Sequence, residues 1–566
     1  MTAEGRALRL AVLLAVLGGL ALPMLAGLVQ TLRAAFGILP ALGQTDAGLA
    51  PWAALAAQPG FWTSLRLTLV TGIGSTLLAL VLAAGGVALI YGRAGQGARW
   101  LAPFLAAPHV ALAIGLAFLL APSGWIARGV APVAGWERPP DLASVNDPWG
   151  GALILGLLVK EVPFLMLVLL SALGQLPVRQ WQAAGRALGY GRGAVWLRVI
   201  LPRAYALIRL PVFVVLAFAL TVVDVAIVLG PSNPPTLAVA VMRMYADPDA
   251  RMILPASAGA AALGLIVAGA IALWWGAERA VASLGRAWLR RGGRGGAAGA
   301  LLAATGSVVP VLMALGALAM TALVIWSVAW RWPWPHVVPE SLSLRAWTSP
   351  GQGWGRALAA TVWLAVASTL LSLTLAIAWL EGEDRGRRTR ARWATALIYL
   401  PLLVPQIAVL YGLQVIFLQG GIGAGMAAVL WAQVIFVFPY VMLALSDPWR
   451  AMDKRMIHAA AALGARPLRR LVAVKLPLML RPILTAGAIG VAVSVAQYLP
   501  TLFMGAGRVA TLTTEAVTLS SGSDRRILGV YAVLQAALPS AAYALALALP
   551  ALVWRHRRGM GGEGTA

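Results

Sequence analysis

Cysteine is absent from the 566 residues, which excludes disulfides, thiolate metal sites and cysteine nucleophiles. Charge is scarce as well: Asp, Glu, Lys and Arg make up 11% of the chain, where a soluble domain carries about 25%. Lysine occurs only at Lys160, Lys454 and Lys475. A Walker A loop needs Gly-x-x-x-x-Gly-Lys-Ser/Thr, because backbone amides and the lysine together hold the phosphates. The residues before the three lysines are Val159, Asp453 and Val474, so the chain carries no P-loop of its own. The four histidines, His109, His336, His458 and His556, are too dispersed for a metal-ligand motif, and no spacing of Ser, His and Asp suggests a nucleophile with its base. No catalytic residue, metal or cofactor is therefore expected in this chain.

What is present is apolar. Hydrophobic types reach 60% and the mean hydropathy is +0.84, so the chain is expected to be an all-α polytopic membrane protein. Twelve apolar stretches lie near 8–32, 63–91, 100–121, 149–174, 207–230, 253–276, 299–330, 356–380, 394–418, 422–446, 482–505 and 527–554, each about the length that crosses a bilayer. Arg6 and Arg9 before the first run imitate a signal peptide. A comparable long run opens the second half, so the first is read as a retained span. The formal charge of +25 first raises nucleic acid as a partner. Its placement argues otherwise. With both termini in the cytoplasm, 30 of the 44 Lys and Arg fall in cytoplasmic segments, in clusters at Arg286–Arg294, Arg385–Arg392, Arg450–Lys475 and Arg555–Arg558. That is the positive-inside pattern, and it accounts for the basicity through the lipid bilayer alone.

The halves repeat. Ser75-Thr-Leu-Leu-Ala-Leu-Val-Leu-Ala83 recurs as Ser368-Thr-Leu-Leu-Ser-Leu-Thr-Leu-Ala376, Pro108 with Gly115-Leu116 recurs as Pro405 with Gly412-Leu413, and Pro163-Phe164 recurs as Pro439-Tyr440. From Ser171/Ser446 to Thr236-Leu237/Thr511-Leu512 the offset stays at 275. Corresponding spans have the same parity, so the repeats are parallel, related by a pseudo-two-fold axis along the membrane normal with a pathway between them. The first half carries an extra polar, Pro-rich outside loop at 121–150. Trp and Pro in 331–335 and 347–354 read as an interface belt.

Two short loops carry the identity. Ala183-Ala184-Gly185-Arg186-Ala187-Leu188-Gly189 is followed by Pro202, thirteen residues after the glycine; His458-Ala459-Ala460-Ala461-Ala462-Leu463-Gly464 is followed by Pro477, again thirteen on. Each is an alanine-rich helical pattern stopped by Gly and followed by a basic stretch and a Pro that restarts a span. This resembles the EAA loop of permease subunits of binding-protein-dependent ABC importers, with the family's Glu replaced by Ala183 and His458. The resemblance covers nearly the whole chain and is nearest to fused permeases of the thiamine and ferric-iron importer type. The stretches from Val222 to Ala238 and from Gln497 to Leu502 resemble an uncharacterised enterobacterial-type permease of that group.

The resemblance implies a type I importer permease: a first half at 1–282 with coupling loop 175–203, a cytoplasmic linker at 283–298, and a second half at 299–566 with coupling loop 448–480. It implies a multi-pass protein of the bacterial inner membrane. A separate ABC ATPase, in two copies, would bind ATP and dock on Ala183, Ala184, Gly189, Pro202, His458, Ala459, Ala460, Gly464 and Pro477. A periplasmic binding protein would deliver a small solute, thiamine-like or iron only by analogy. The alternative is a major-facilitator-type secondary transporter, suggested by Gly382-Glu-Asp384-Arg-Gly-Arg-Arg388 after span eight; its counterpart Gly92–Arg99 lacks the acid. Polar residues inside the spans are costly and usually face the bundle interior. Lys160, Glu161, Asp224, Gln497 and Tyr498 are accordingly the candidates for a translocation path, with a structural Lys160–Asp224 pair as the other reading.

Overall fold

The computed structural model describes residues 3–91, 101, 104, 106–290, 296–349, 353–386, 392–522 and 524–553. Gly92–Arg99, Arg387–Arg388, part of the 283–298 linker and Arg555–Arg558 lie outside them. Among the described residues ten helices are long and apolar enough to cross a membrane, and up to twelve if two sharply bent pairs each count as one span. This agrees with the expected all-α polytopic class.

The first half runs α1 (Leu8–Ala35), α2 (Phe61–Ile90), α3 (His109–Leu120), α4 (Trp125–Ala134), α5 (Gly151–Leu173), α6 (Val178–Ala187), α7 (Leu201–Thr221), α8 (Asp224–Leu229), α9 (Leu237–Tyr245) and α10 (Ile253–Arg290). The second runs α11 (Gly296–Val328), α12 (Trp354–Gly386), α13 (Gln406–Gln419), α14 (Met426–Ala451), α15 (Lys454–Ala462), α16 (Leu480–Val495), α17 (Leu499–Gly505), α18 (Leu512–Leu519) and α19 (Arg525–Val553). A two-stranded hairpin, β1 (Ala329–Arg331) and β2 (Ser341–Leu342), follows α11.

The sequence repeat is a repeat of structure down to single hydrogen bonds. A π-helical turn at Trp196–Ile200 recurs at Leu471–Lys475, both 275 positions apart. The Thr68 hydroxyl accepts from the Leu237 amide at 2.8 Å, and the Thr361 hydroxyl accepts from the Leu512 amide at 2.9 Å. Each pair ties the second helix of a half to the start of α9 or α18.

The first helix of each half packs on its own half and also reaches across to the other. Helix α1 packs along α12 and α13, and α11 packs along α2 and α3. Lipid tails are as apolar as leucine, so helices in a bilayer associate through close packing of small residues. Gly412 meets Gly27 so closely that a Cβ on Gly412 would lie 1.9 Å from the Gly27 carbonyl oxygen. At the equivalent crossing, a Cβ on Gly115 would lie 2.4 Å from the Ala319 carbonyl oxygen. The repeated Gly115-Leu116/Gly412-Leu413 pair thus marks where each half receives the other's first helix.

The extra loop at 121–150 is more than a polar connection. Within it α4 carries Arg128, 5% exposed, whose guanidinium donates to the carbonyls of Pro333 (2.8 Å), His336 (3.0 Å) and Trp332 (3.2 Å) and lies 5.0 Å from the Trp332 ring. The Trp334 indole donates to the Trp136 carbonyl at 3.1 Å. The 331–335 tryptophans, expected as an interface belt, are instead one side of a clamp joining α4 to the loop after β1. Hydrogen bonds to a charged donor contribute about 1.5–3 kcal/mol each. Arg128→Ala is therefore expected to lower the unfolding temperature of the detergent-solubilised protein clearly, and Arg128→Lys to recover only part, since lysine lacks the planar fork. An unfolding temperature unchanged in Arg128→Ala would show that the clamp carries no stability.

Candidate coupling loops and translocation path

Both alanine-rich loops form short surface helices. Helix α6 ends at Ala187 and α15 at Ala462, and in each the chain then turns through a glycine in left-handed conformation, Gly189 at φ +77 and Gly464 at φ +78. The closing bonds are the same in both copies. Gly189 donates to Arg186 at 2.9 Å and Tyr190 to Gly185 at 2.9 Å; Gly464 donates to Ala461 and Ala465 to Ala460, both at 3.0 Å. This is a Schellman stop, in which a side chain at the glycine would be strained. Ala183, Ala184, His458 and Ala459 are exposed, Ala460 is half-buried, and no residue of α15 is fully buried. Pro202 and Pro477 each follow the π-helical turn, at the first turn of the next helical segment.

The leucine beside each glycine was quoted in the loop pattern but not expected as a contact. Leu188 is 69% exposed and Leu463 is 88% exposed. Two large apolar side chains held outward at equivalent positions, on helices with little burial of their own, mark a surface made to be covered. The available signal was their place at the residue before a left-handed glycine, where the chain turns away from the bundle.

The second loop is anchored by a buried ion cluster. Lys475, 4% exposed, donates to Glu381 at 2.5 Å and to Asp384 at 2.6 Å near the end of α12. Arg385 pairs with Glu381 at 2.8 Å, and the Trp449 indole donates to Asp384 at 3.2 Å. Asp384, one of the acids that imitated a major-facilitator loop, and Glu381 therefore hold the second alanine-rich loop to α12. The first half has Ile200 in place of Lys475 and relies on packing there: Trp196 is buried and meets the Tyr91 ring edge-on at 5.4 Å.

Of the candidate path residues, Asp224, Gln497 and Tyr498 sit where helices break, and Lys160 and Glu161 lie buried within α5. Pro108 caps α3 and Pro405 caps α13, and the segment before α13 turns through 100° at that break. Helix α7 ends at Thr221 and α8 starts at Asp224; α16 ends at Val495 and α17 starts at Leu499, the position equivalent to Asp224. Paired interruptions of this kind free backbone groups and helix ends within a membrane only where protein or a water-lined cavity receives them. Asp224 accepts from the amide of Val225 at 2.9 Å.

Around these breaks polar residues of both halves gather. The His109 imidazole lies 3.4 Å from Glu161. Gln406 donates to Gln497 at 3.3 Å, and the Tyr498 hydroxyl lies 4.0 Å from the Met242 sulfur. Tyr245 stacks on Tyr411 at 4.8 Å and meets Phe503 edge-on at 5.6 Å, placing an aromatic contact between the halves. Lys160 behaves differently. Its ammonium donates to the carbonyls of Ala107 (2.5 Å) and Phe104 (3.0 Å), at the chain end just before α3. Among the described residues no ion pair joins Lys160 to Asp224, so the structural pair considered as the other reading is not formed. His109 and Gln406 were not expected from sequence; each stands directly after Pro108 or Pro405, which was the usable signal. Among the described residues no group of three or more His, Asp or Glu is placed to hold a metal ion.

Comparison with known proteins bears on what this arrangement serves. The family described as binding-protein-dependent transport system inner membrane component matches residues 375–554, which include the second coupling loop and Gln497–Tyr498. The inner membrane ABC transporter permease protein YnjC of Escherichia coli is 31% identical over 531 residues, 92% of this chain and 94% of that protein. The spermidine/putrescine transport system permease protein PotC of Haemophilus influenzae is 27% identical over 130 residues, 23% of this chain and 49% of that protein. The molybdenum transport system permease protein ModB of Mycobacterium tuberculosis is 30% identical over 214 residues, 35% of this chain and 76% of that protein. Permeases of this kind are transport subunits of the inner membrane that work with an ATPase and a solute-binding protein, and the major-facilitator alternative falls away. A likeness to YnjC that runs almost end to end, on a duplicated helical membrane fold, places the chain in the family of inner-membrane permease subunits of binding-protein-dependent ABC importers.

Proposed function

We propose that the chain is a pair of permease halves, 1–282 and 299–566 joined by the linker 283–298, that couples two copies of an ABC ATPase to one translocation path. The carrying observation is the pair of exposed Schellman-stopped helices, α6 and α15, each presenting an uncovered leucine 275 positions from the other. Two matching knobs call for two matching grooves, which suits two copies of one ATPase. Both termini and both knobs lie on the cytoplasmic side, as the excess of arginine there argues. Ala183, Ala184, Gly189, His458, Ala459, Ala460 and Gly464 form the docking helices, and Pro202 and Pro477 start the spans that carry the motion inward. Closing of the ATPases brings α6 and α15 together. The Lys475–Glu381–Asp384 cluster transmits the second movement to α12.

The path runs between the halves, past Glu161, Asp224, Gln497 and Tyr498, with His109 and Gln406 beside them. Lys160 positions the start of α3 through the carbonyls it holds. The acids outnumber the one cation, so the solute is a cation or a neutral polar molecule. The names of the relatives point to different cargoes, polyamines for PotC and molybdenum for ModB, and do not choose between them. A thiamine-like solute or iron remains an analogy with fused permeases.

Gly464→Asp places a β-carbon where φ is +78, and Leu463→Asp places charge on the knob. Both variants, and deletion of 459–464, are expected to insert in the membrane yet lose the ATPase on affinity purification of the detergent-solubilised complex. A full complement of ATPase retained by Leu463→Asp would remove the coupling assignment. For the path, Asp224→Asn and Glu161→Gln are nearly isosteric. Each is expected to leave assembly and ATPase binding intact and to lower solute uptake by tenfold or more, on the order of the 1.4 kcal/mol that a tenfold change represents. Uptake at wild-type level in both would place the route elsewhere.

A further inference from the structure

Away from the route between the halves, a groove of about 1410 Å³ opens on the flank formed by α2, α7 and α10. Every described residue lining it lies between Ile73 and Leu289, so among the described residues the second half contributes nothing, and the groove lies apart from the proposed translocation path. Its walls are apolar and uncovered: Leu77 is 48% exposed, Leu273 is 69% and Leu284 is 68%. Leu77, Leu80 and Ala84 belong to the part of α2 nearer the coupling loops, as do Leu197 and Leu201 just after the first of those loops. The groove therefore faces the leaflet on the coupling-loop side.

The charge in this groove is predominantly positive. Among the described residues Arg198, Arg203, Arg209, Arg279 and Arg286 line it, against the one acid Glu278. That acid is already engaged, by the Arg209 guanidinium (2.8 Å from Nε) and by the Tyr205 hydroxyl at 2.5 Å. Arg198 is the telling residue. Its guanidinium lies 3.8 Å from the Trp288 ring centroid and 5.8 Å from that of Tyr190. Its Nε and Nη2 are shielded from solvent and have no hydrogen-bond partner. Shielded donors of a charged group are ordinarily satisfied, and an unmet pair requires an explanation. The fold itself does not demand these cations: 275 positions on, Arg198, Arg203 and Arg209 are replaced by Ala473, Leu478 and Leu484.

An apolar trough that opens to lipid and ends in a cluster of arginines matches one kind of molecule, a lipid with an anionic headgroup. We propose that this groove is a binding site for an anionic phospholipid of the coupling-side leaflet. The phosphodiester sits at Arg198, whose Nε and Nη2 lack acceptors, and at the exposed Arg203. The acyl chains lie along Leu77, Leu273 and Leu284. Because α7 starts directly after the first coupling loop, lipid in the groove braces that loop, a role filled in the second half by the Lys475 ion cluster. The site thus gives the two coupling loops different supports, one by lipid and one by protein. Only the naming of the leaflet as cytoplasmic rests on the orientation proposed above.

The test uses the full-length protein in mild detergent, offered equal amounts of phosphatidylglycerol and phosphatidylcholine with the same acyl chains and read by native mass spectrometry. The wild-type protein is expected to carry phosphatidylglycerol in preference. Arg203 and Arg279 are exposed, so Arg203→Ala and Arg279→Ala leave the fold intact. Each is expected to weaken phosphatidylglycerol binding roughly fivefold, and Arg198→Ala at least as much. Arg481→Ala, exposed on the second half, is expected to bind as the wild type does. Equal binding of the two lipids by the wild type, or a phosphatidylglycerol preference that survives Arg198→Ala with Arg203→Ala, would overturn the proposal. Displacement of the lipid by excess inorganic phosphate would do so too, since it would show an anion site without a lipid site. Neither result depends on whether the coupling loops bind an ATPase, so failure here and failure of the functional reading are distinguishable.

Discussion

The architecture depends on two backbone crossings made without side chains. In a bilayer the lipid competes on equal terms for every leucine, so what holds one helix to another is how closely the backbones approach. At Gly27–Gly412 and Gly115–Ala319 they approach to the limit, and no side chain larger than hydrogen fits on Gly412 or Gly115. These crossings lash α1 to the second half and α11 to the first. The halves cannot part, because each contains a helix belonging to the other.

Within that frame, rigid and interrupted helices have separate tasks. The long helices α2, α10, α11 and α12 set the cage. The short α3 and α13, started by Pro108 and Pro405, and the breaks before α8 and α17 put helix ends and polar groups where an unbroken span would offer only apolar side chains. Glu161, His109, Asp224, Tyr498, Gln497 and Gln406 gather there from both halves. At the far end, the Gly189 and Gly464 turns fix the angle at which Leu188 and Leu463 leave the surface. Distance separates the two sites, and the segments after the loops bridge it. They begin with the paired π-helical turns at Trp196–Ile200 and Leu471–Lys475, local departures from the α-helix of the kind found at functional positions.

Much of this was legible in the sequence because it was written twice. A residue that recurs at the corresponding place of both halves is constrained by the shared fold, and Pro108/Pro405, Gly115/Gly412, Gly189/Gly464 and Thr236-Leu237/Thr511-Leu512 all proved to sit at caps, crossings or turns. The exchange of first helices was not legible, since hydrophobic periodicity says that a helix has neighbours but not which. Nor was the partner of Lys160: a buried lysine beside an acid invites an ion pair, whereas its ammonium turns to carbonyls left open by the break before α3. The 331–335 tryptophans misled for a related reason. Aromatics near a span end usually mark the lipid interface, and nothing in their own segment announces Arg128, some two hundred positions earlier. Features without a copy in the other half, such as Arg128, Lys160 and the Lys475 cluster, were the ones that needed the structure.

The account stands or falls on the closeness of the Gly27–Gly412 crossing. The most direct measurement compares Gly412→Ala with Gly74→Ala, a helical position where an added β-carbon meets nothing within 4 Å, by thermal unfolding of the purified protein in one detergent. One added methyl group has to push α1 off α13 in the first variant and only improves helix propensity in the second. The expected result is a marked fall in unfolding temperature for Gly412→Ala and none for Gly74→Ala. Equal unfolding temperatures in the two variants would contradict the claim that backbone contact between exchanged helices holds the halves together.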